Sequence, residues 1–219
     1  MTFYVSITTI KKYKQALDVL LSSLPKEWKY ILIYQNEEKN SYKIFQNGHI
    51  EVTIKQNLHD YGNWVGVHLL LLNNIVPKDS WFLFIHDTCK FINNSAKLTQ
   101  DLIDTYDKTN KDVIWLCNNG QCNICLIRKN AIEKGYEVYK HIQSMTKMQT
   151  IEYEWQHTNP LSPKSFKVNH AFIDTPTIHL GKRFVYNNVN NRDVLLYSSI
   201  NMEKYFYYTI TESDHPIMP

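Results

Sequence analysis

Trp81-Phe82-Leu83-Phe84-Ile85, running straight into His86-Asp87-Thr88, decides the reading of this chain. Five consecutive apolar residues, aromatic and branched, follow the turn Pro77-Lys78-Asp79-Ser80 and describe the most apolar strand in the sequence. The run stops abruptly at three polar side chains. A buried strand with a polar carboxyl end is what an open parallel sheet needs, because ligands bind in the crevice beyond the carboxyl ends of its strands.

The surrounding sequence supplies the rest of such a sheet. Phe3 to Thr9 (FYVSITT) reads as a strand. Tyr13 to Leu24 places Ala16, Leu17, Leu20, Leu21 and Leu24 at helical spacing and ends before Pro25. Tyr30 to Tyr34 (YILIY) has the composition of an inner parallel strand. Tyr42 to Phe45 and Ile50 to Ile54 are shorter, with an Asn47-Gly48 turn between them. Asp60 is placed to cap a helix over roughly 61–74, with Trp64, Val67, His68 and Leu71 on one face. Later come a helix over Leu98–Tyr106, strands over Val113–Cys117 and Cys122–Arg128 joined through Asn118-Asn119-Gly120, and a helix over Ala131–Ser144. Ile151–Trp155 reads as another helix. Short strands follow at Thr177–Leu180, Phe184–Tyr186 and Val194–Tyr197, then a helix over Asn201–Tyr207 and a loose tail beyond Thr211. Strands alternating with helices predict an α/β domain, Rossmann-like, with a mostly parallel central sheet and helices on both faces. His86-Asp87-Thr88 and Thr8-Thr9 then stand at carboxyl ends of strands that lie side by side and face one cleft.

Composition narrows the function. With 219 residues the chain can bury a full core without disulfides or structural metals. A net charge of +3, from 24 basic and 21 acidic residues, lacks the basic stripe of a nucleic-acid binder. Lys11, Lys12 and Lys14 read as the solvated face of the first helix. The longest apolar stretch, Val65 to Leu72, is interrupted by His68 and too short to span a bilayer. No targeting segment is recognisable, so a cytoplasmic location is expected, whether the chain stands alone or belongs to a longer protein. Six glycines leave neither a GxGxxG nor a Walker A loop, which argues against dinucleotide and P-loop enzymes. Cys117, Cys122 and Cys125 have a spacing superficially like an iron–sulfur run. No fourth cysteine follows, and with Cys89 they read as buried thiols.

From physics alone Asp87 has two possible roles. It can cap the next turn, or hold a divalent cation against a diphosphate, since Mg²⁺ and Mn²⁺ prefer oxygen ligands. The order FYVSITT, helix, YILIY, NLHDYGNW opening a helix, then WFLFIHDTC resembles the nucleotide-sugar half of GT-A glycosyltransferases. It is especially similar to the small glycosyltransferase domains of large DNA viruses and some low-GC bacteria, for which a host or bacterial cytoplasm is implied. The resemblance covers roughly residues 3–130. It implies a DxD-type element with Asp87 as its first carboxylate, Mn²⁺ or Mg²⁺ as cofactor, and Cys89 where the second carboxylate would stand. A thiol is a poor ligand in a hard-metal site. His179, with His170 behind it, is the candidate second ligand that the resemblance suggests.

The same resemblance places Thr8 and Thr9 at the nucleotide base, and Asp60 and Trp64 beside nucleotide and donor sugar. It sets His86 and Thr88 in the loop, and Arg192 (after Asn191) and Lys204 near the diphosphate. Helix capping for Asp60, core packing for Trp64 and surface salt bridges for the basic residues are the alternatives. Residues 1–130 would be the nucleotide-sugar half, 131–211 the acceptor-side half and 212–219 a flexible tail. Glu152, Glu154 and Asp174 are the carboxylates available on the acceptor side, with Glu154 the leading candidate base. The expected activity is sugar transfer from a nucleotide-diphosphate sugar, UDP-sugar favoured, to a glycan or protein-linked acceptor, with other domains of a longer glycosyltransferase as candidate partners that complete the acceptor site. The alternative is a module that binds nucleotide or glycan without turning it over.

Overall fold

A computed structural model describes residues 2–10, 14–117, 123–155, 158–173, 175, 177–183 and 192–205. In chain order the elements are β1 (Phe3–Thr9), α1 (Lys14–Ser23), β2 (Lys29–Tyr34), β3 (Ser41–Ile44), β4 (Ile50–Thr53), α2 (Gly62–Leu72), β5 (Trp81–His86), β6 (Cys89–Phe91), α3 (Ser95–Asp107), β7 (Val113–Trp115), β8 (Cys125–Ile127), α4 (Lys129–Tyr139), α5 (Lys147–Trp155), β9 (His170–Phe172), β10 (Thr177–Arg183), β11 (Arg192–Tyr197) and β12 (Met202–Tyr205). No helix among the described residues is long and apolar enough to cross a membrane.

The larger sheet is eight-stranded, in the order β3-β4-β2-β1-β5-β8-β7-β9, and mostly parallel. β1 lies at its centre, parallel to β2 on one side and to β5 on the other. The chain first builds outward through β2 and β4, then returns to place β5 on the opposite flank of β1. That reversal opens a crevice between the carboxyl ends of β1 and β5. β8 runs antiparallel between β5 and β7, and β3 antiparallel to β4, within the mostly parallel sheet that the sequence predicts.

Alternation along β5 explains why every position from Trp81 to Ile85 is apolar. Phe82 and Phe84 join one core, with Trp64 of α2 and Ala131, Ile132 and Tyr139 of α4. Trp81, Leu83 and Ile85 join a second core on the other face, with Leu17 and Leu20 of α1 and Ile103 of α3. Helices therefore cover both faces, as the apolar runs require. Each fully buried branched or aromatic side chain contributes about 1.5–3 kcal/mol.

A second sheet, β10-β11-β12-β6, is antiparallel. Its existence corrects the helix expected over Asn201–Tyr207. Met202–Tyr205 is extended because it pairs on one side with β11 and on the other with β6, directly after the His86-Asp87-Thr88 loop. Asn201, with φ of 53°, turns the chain into it. The sequence shows neither the partner strand nor its distance along the chain. The strand expected over Phe184–Tyr186, the Asn118-Asn119-Gly120 connection and the tail lie outside the described residues.

Trp64 fixes the distance between α2 and α4. A Cβ on Gly135 would stand 2.0 Å from Trp64 Cε3, so glycine is what lets the indole lie against α4. The indole also meets Phe84 edge-on, with ring centroids 5.4 Å apart. Gly135→Ala should therefore destabilise. Overpacking costs about 1–3 kcal/mol, and exceeds the roughly 1 kcal/mol that alanine gains in a helix. Thermal unfolding should show a lowered Tm; an unchanged or raised Tm would mean the indole does not set the spacing of these helices.

Candidate functional site

The crevice is built from the pairing of β1 with β5, which sets Thr8 opposite His86. The Asp87 N–H donates to the Thr8 carbonyl at 3.2 Å. The Thr9 hydroxyl donates to Asp87 Oδ2 at 2.6 Å. Asp87 thus faces the end of β1 and is not used as a free-standing turn cap. Burial pushes its carboxyl up to about 7, although the Thr9 hydrogen bond opposes the shift. Beside it, Thr88 Oγ1 and His86 Nδ1 share a 2.6 Å hydrogen bond.

Gln35, at the end of β2, organises the neighbouring loop. Its amide donates to Thr8 Oγ1 at 2.7 Å and to the His59 carbonyl at 2.6 Å, and its oxygen accepts the Leu58 N–H at 2.7 Å. His59 adopts a φ of 48°, in the left-handed region. This clamp holds Asp60 at the crevice. Asp60 precedes α2 but does not cap it, because that helix starts after Tyr61 without a side-chain cap. Instead Asp60 Oδ2 accepts the Asn123 amide at 2.8 Å and lies 4.0 Å from His86 Nε2.

Glu154 joins this group from α5. It is buried, unlike its exposed helix neighbour Glu152, which accepts a hydrogen bond from Asn159. Burial raises the Glu154 carboxyl to about 8, opposed by Lys204, while Asp60 adds to the rise. Lys204 enters from β12, directly opposite Cys89 of β6. The Tyr205 N–H donates to the Thr88 carbonyl at 2.8 Å, tying β12 to the loop. His86 is lowered to about 4 by burial and is neutral at pH 7. Burial works to raise Asp60, but the nearby charges, Lys204 among them, and the Asn123 hydrogen bond outweigh it and hold the carboxyl below its ordinary value.

Asp60, His86, Asp87, Glu154 and Lys204 are therefore gathered, as are Thr8, Thr9 and Thr88. Trp64 is not. At 2% exposure it is a core residue beneath the crevice, and its expected place beside the donor is corrected. Arg192 opens β11 opposite Arg183, but its side chain lies outside the described residues, as do Asn191 and Asp174. Gln35, Asn63 and Asn123 are site residues that sequence reasoning misses. Asn63 accepts from Ser6 Oγ at 2.8 Å and donates to the Ile85 carbonyl at 2.8 Å, locking α2 to both central strands. A polar residue at the edge of each apolar element is the available signal.

The partners that the resemblance implies for a cation at Asp87 are not gathered with it. Asp87 has one oxygen engaged by Thr9. Cys89 is fully buried, with its thiol pushed up to about 12 by burial, so it stays neutral. His170 uses both ring nitrogens, accepting from Trp115 Nε1 and bonding the Phe166 carbonyl. His179 sits on β10, in a row with Leu195, Lys204 and Cys89 across the small sheet. Three ladder steps of about 4.8 Å put its backbone about 14 Å from that of Cys89. His179 and His170 are accordingly corrected as partners for Asp87. Among the described residues, no three His, Cys, Asp or Glu side chains form a group that could hold a metal ion.

Two buried polar atoms beside Asp60, His86 Nε2 and Asn123 Oδ1, have no hydrogen-bond partner among the described residues. Buried polar atoms are nearly always satisfied, so these mark a place for an incoming polar group. Comparison with known proteins adds no assignment: no family model matches the chain, and no curated protein matches it.

The raised Glu154 carboxyl has a consequence for stability. The folded state holds this proton more tightly than the unfolded chain, so stability falls as pH rises from the ordinary carboxylate range through about 8. Glu154→Gln removes the penalty. It should raise Tm more at pH 8.5 than at pH 5.5, with a gain on the order of 1–3 kcal/mol at the higher pH. An equal shift at both pH values would contradict the buried, proton-holding carboxyl.

Proposed function

We propose that this chain is a glycosyltransferase with a GT-A-like domain, transferring a sugar from a nucleotide-diphosphate sugar, UDP-sugar favoured, to a glycan or protein-linked acceptor. The observation that carries the reading is the convergence of Asp60, His86, Asp87, Glu154 and Lys204 at the switch point between β1 and β5, with two buried polar atoms there that have no partner among the described residues. A sugar hydroxyl, which donates one hydrogen bond and accepts others, matches the gap between His86 Nε2 and Asp60. Sequence resemblance over roughly residues 3–130 supports the same class.

The transfer follows from these positions. The acceptor hydroxyl oxygen forms a bond to the anomeric carbon as that carbon's bond to the diphosphate oxygen breaks. The bonding electrons leave with the diphosphate, and the hydroxyl proton passes to the Glu154 carboxylate. A carboxyl raised to about 8 is a stronger base than an ordinary glutamate and suits that step near neutral pH. Asp60, ionised and held by Asn123, orients the donor through hydroxyl contacts. The neutral Cys89 thiol beside Asp87 favours one competing reading, a module that binds the donor without turnover.

Purified protein incubated with UDP-, GDP- and TDP-sugars, with Mn²⁺ or with EDTA, should release nucleoside diphosphate from at least one donor. Glu154→Gln should lower kcat by about 10²-fold or more with little change in donor KM, consistent with loss of a general base. The wild-type rate should rise with pH toward about 8, and that limb should vanish in the variant. Binding without turnover would establish the non-catalytic module. Neither binding nor turnover with any donor, or full activity in Asp87→Ala, would overturn the assignment of this crevice.

A further inference from the structure

Resting on the glycosyltransferase reading above, we propose that the ring of Phe172 is the platform on which the acceptor stacks, and that the acceptor is therefore a carbohydrate. The placement follows from strand pairing. Phe84 of β5 is in register with Cys125 of β8, Cys125 with Trp115 of β7, and Trp115 with Phe172 of β9. Residues paired across a sheet share a face, so these four form one row. Phe84, Cys125 and Trp115 are buried in the core that α2 and α4 cover, whereas Phe172 is 48% exposed. Its neighbours Ala171 and Ile173 turn the other way, into the second core. Three ladder steps of about 4.8 Å put the backbone of Phe172 about 14 Å from that of Phe84, on the edge strand of the sheet.

The row runs just below the crevice. His86 lies two residues beyond Phe84, and Asn123 lies two residues before Cys125 on the antiparallel strand, so both stand one layer further toward the opening. Lys164 joins the exposed ring to the proposed base. Its ammonium is 5.9 Å from the Phe172 centroid, and its charge acts on the Glu154 carboxyl. An acceptor lying across Phe172 therefore approaches from the side of Glu154, where its hydroxyl proton is to go. A sugar ring suits this surface. One face of a pyranose presents C–H groups, which are attracted to the negative face of an aromatic ring, while its rim carries hydroxyls. Phenylalanine offers area and no hydrogen-bonding group, so it holds the apolar face of the sugar and leaves the hydroxyls to the polar crevice. A serine or threonine in a peptide presents no such flat face beside its hydroxyl.

Saturation-transfer difference NMR on the full chain tests this without requiring turnover. The probes are methyl glycosides of the common hexoses, N-acetylhexosamines, xylose and fucose, with irradiation of the protein's aromatic protons. At least one glycoside should take up saturation, strongest at the C–H groups of one ring face. Phe172→Ala should abolish the transfer and Phe172→Trp should retain it, with both variants shown to be folded by thermal unfolding. In the presence of a donor that the protein turns over, the same glycoside should accelerate release of nucleoside diphosphate. Phe172→Ala should then raise the KM for that glycoside about tenfold and leave the donor KM unchanged. No saturation transfer to any glycoside in the wild-type protein would overturn the proposal without any variant having to fold. So would transfer unaffected by Phe172→Ala, acceptor activity confined to peptides bearing Ser or Thr, or a dimer that Phe172→Ala dissociates, which would make the ring a contact between copies. Each of these outcomes leaves the donor reading standing. Failure of every donor to bind or turn over would remove that reading, and the acceptor role of Phe172 with it.

Discussion

The parallel pairing of β1 with β5 is the constraint on which the site depends. It fixes Thr8 against His86, and from that register the Thr9 hydroxyl reaches Asp87 at 2.6 Å. A one-residue slip would turn every side chain of β5 to the opposite face. It would move Phe84 out from under Trp64 and Ile85 out of the second core. The apolar packing on both faces therefore enforces the alignment of the polar residues at the strand ends. Asn63 adds a polar lock, bonded to Ser6 on one strand and to the Ile85 carbonyl on the other.

Electrostatics in the crevice follow from how deeply each group is buried and what stands next to it. Asp87 and Glu154 are carboxyls with little water, and burial holds them protonated to about 7 and about 8. Asp60 keeps about a quarter of its side chain exposed and has Lys204 and Asn123 for company, so it stays ionised. Two proton-holding carboxyls and one anion are thus set apart within one small volume by environment, since all three are the same functional group.

What the sequence makes legible is local. Continuous runs of apolar, aromatic and β-branched residues locate β1, β2 and β5, and the abrupt end at His86-Asp87-Thr88 marks the crevice before any contact is known. Glu154 is harder: its spacing on a short helix looks solvent-facing, and only the packing of α5 against the crevice buries it. Asp60 reads as a helix cap because aspartate before a helix usually is one, but the bend at His59 and the Gln35 clamp turn it elsewhere. Trp64 errs in the other direction, since nothing in the sequence says that Gly135 will leave a slot for its ring. β12 is the largest gap, because its partner strand comes more than a hundred residues earlier. Single-sequence periodicity carries no information about such pairings.

The junction of β6 with β12 gives the crevice a history as well as a shape. Ser95 Oγ bonds the Asn201 carbonyl across a separation of 106 residues, and the ladder beside it closes a loop of similar length. Asp60, just before α2, and Asp87, just after β5, come from the first half of the chain and can assemble while that loop is still open. Until it closes, Asp60 lacks the Lys204 charge that acts on it in the folded chain. The electrostatic setting of these carboxyls is thus completed only by a contact between residues more than a hundred positions apart.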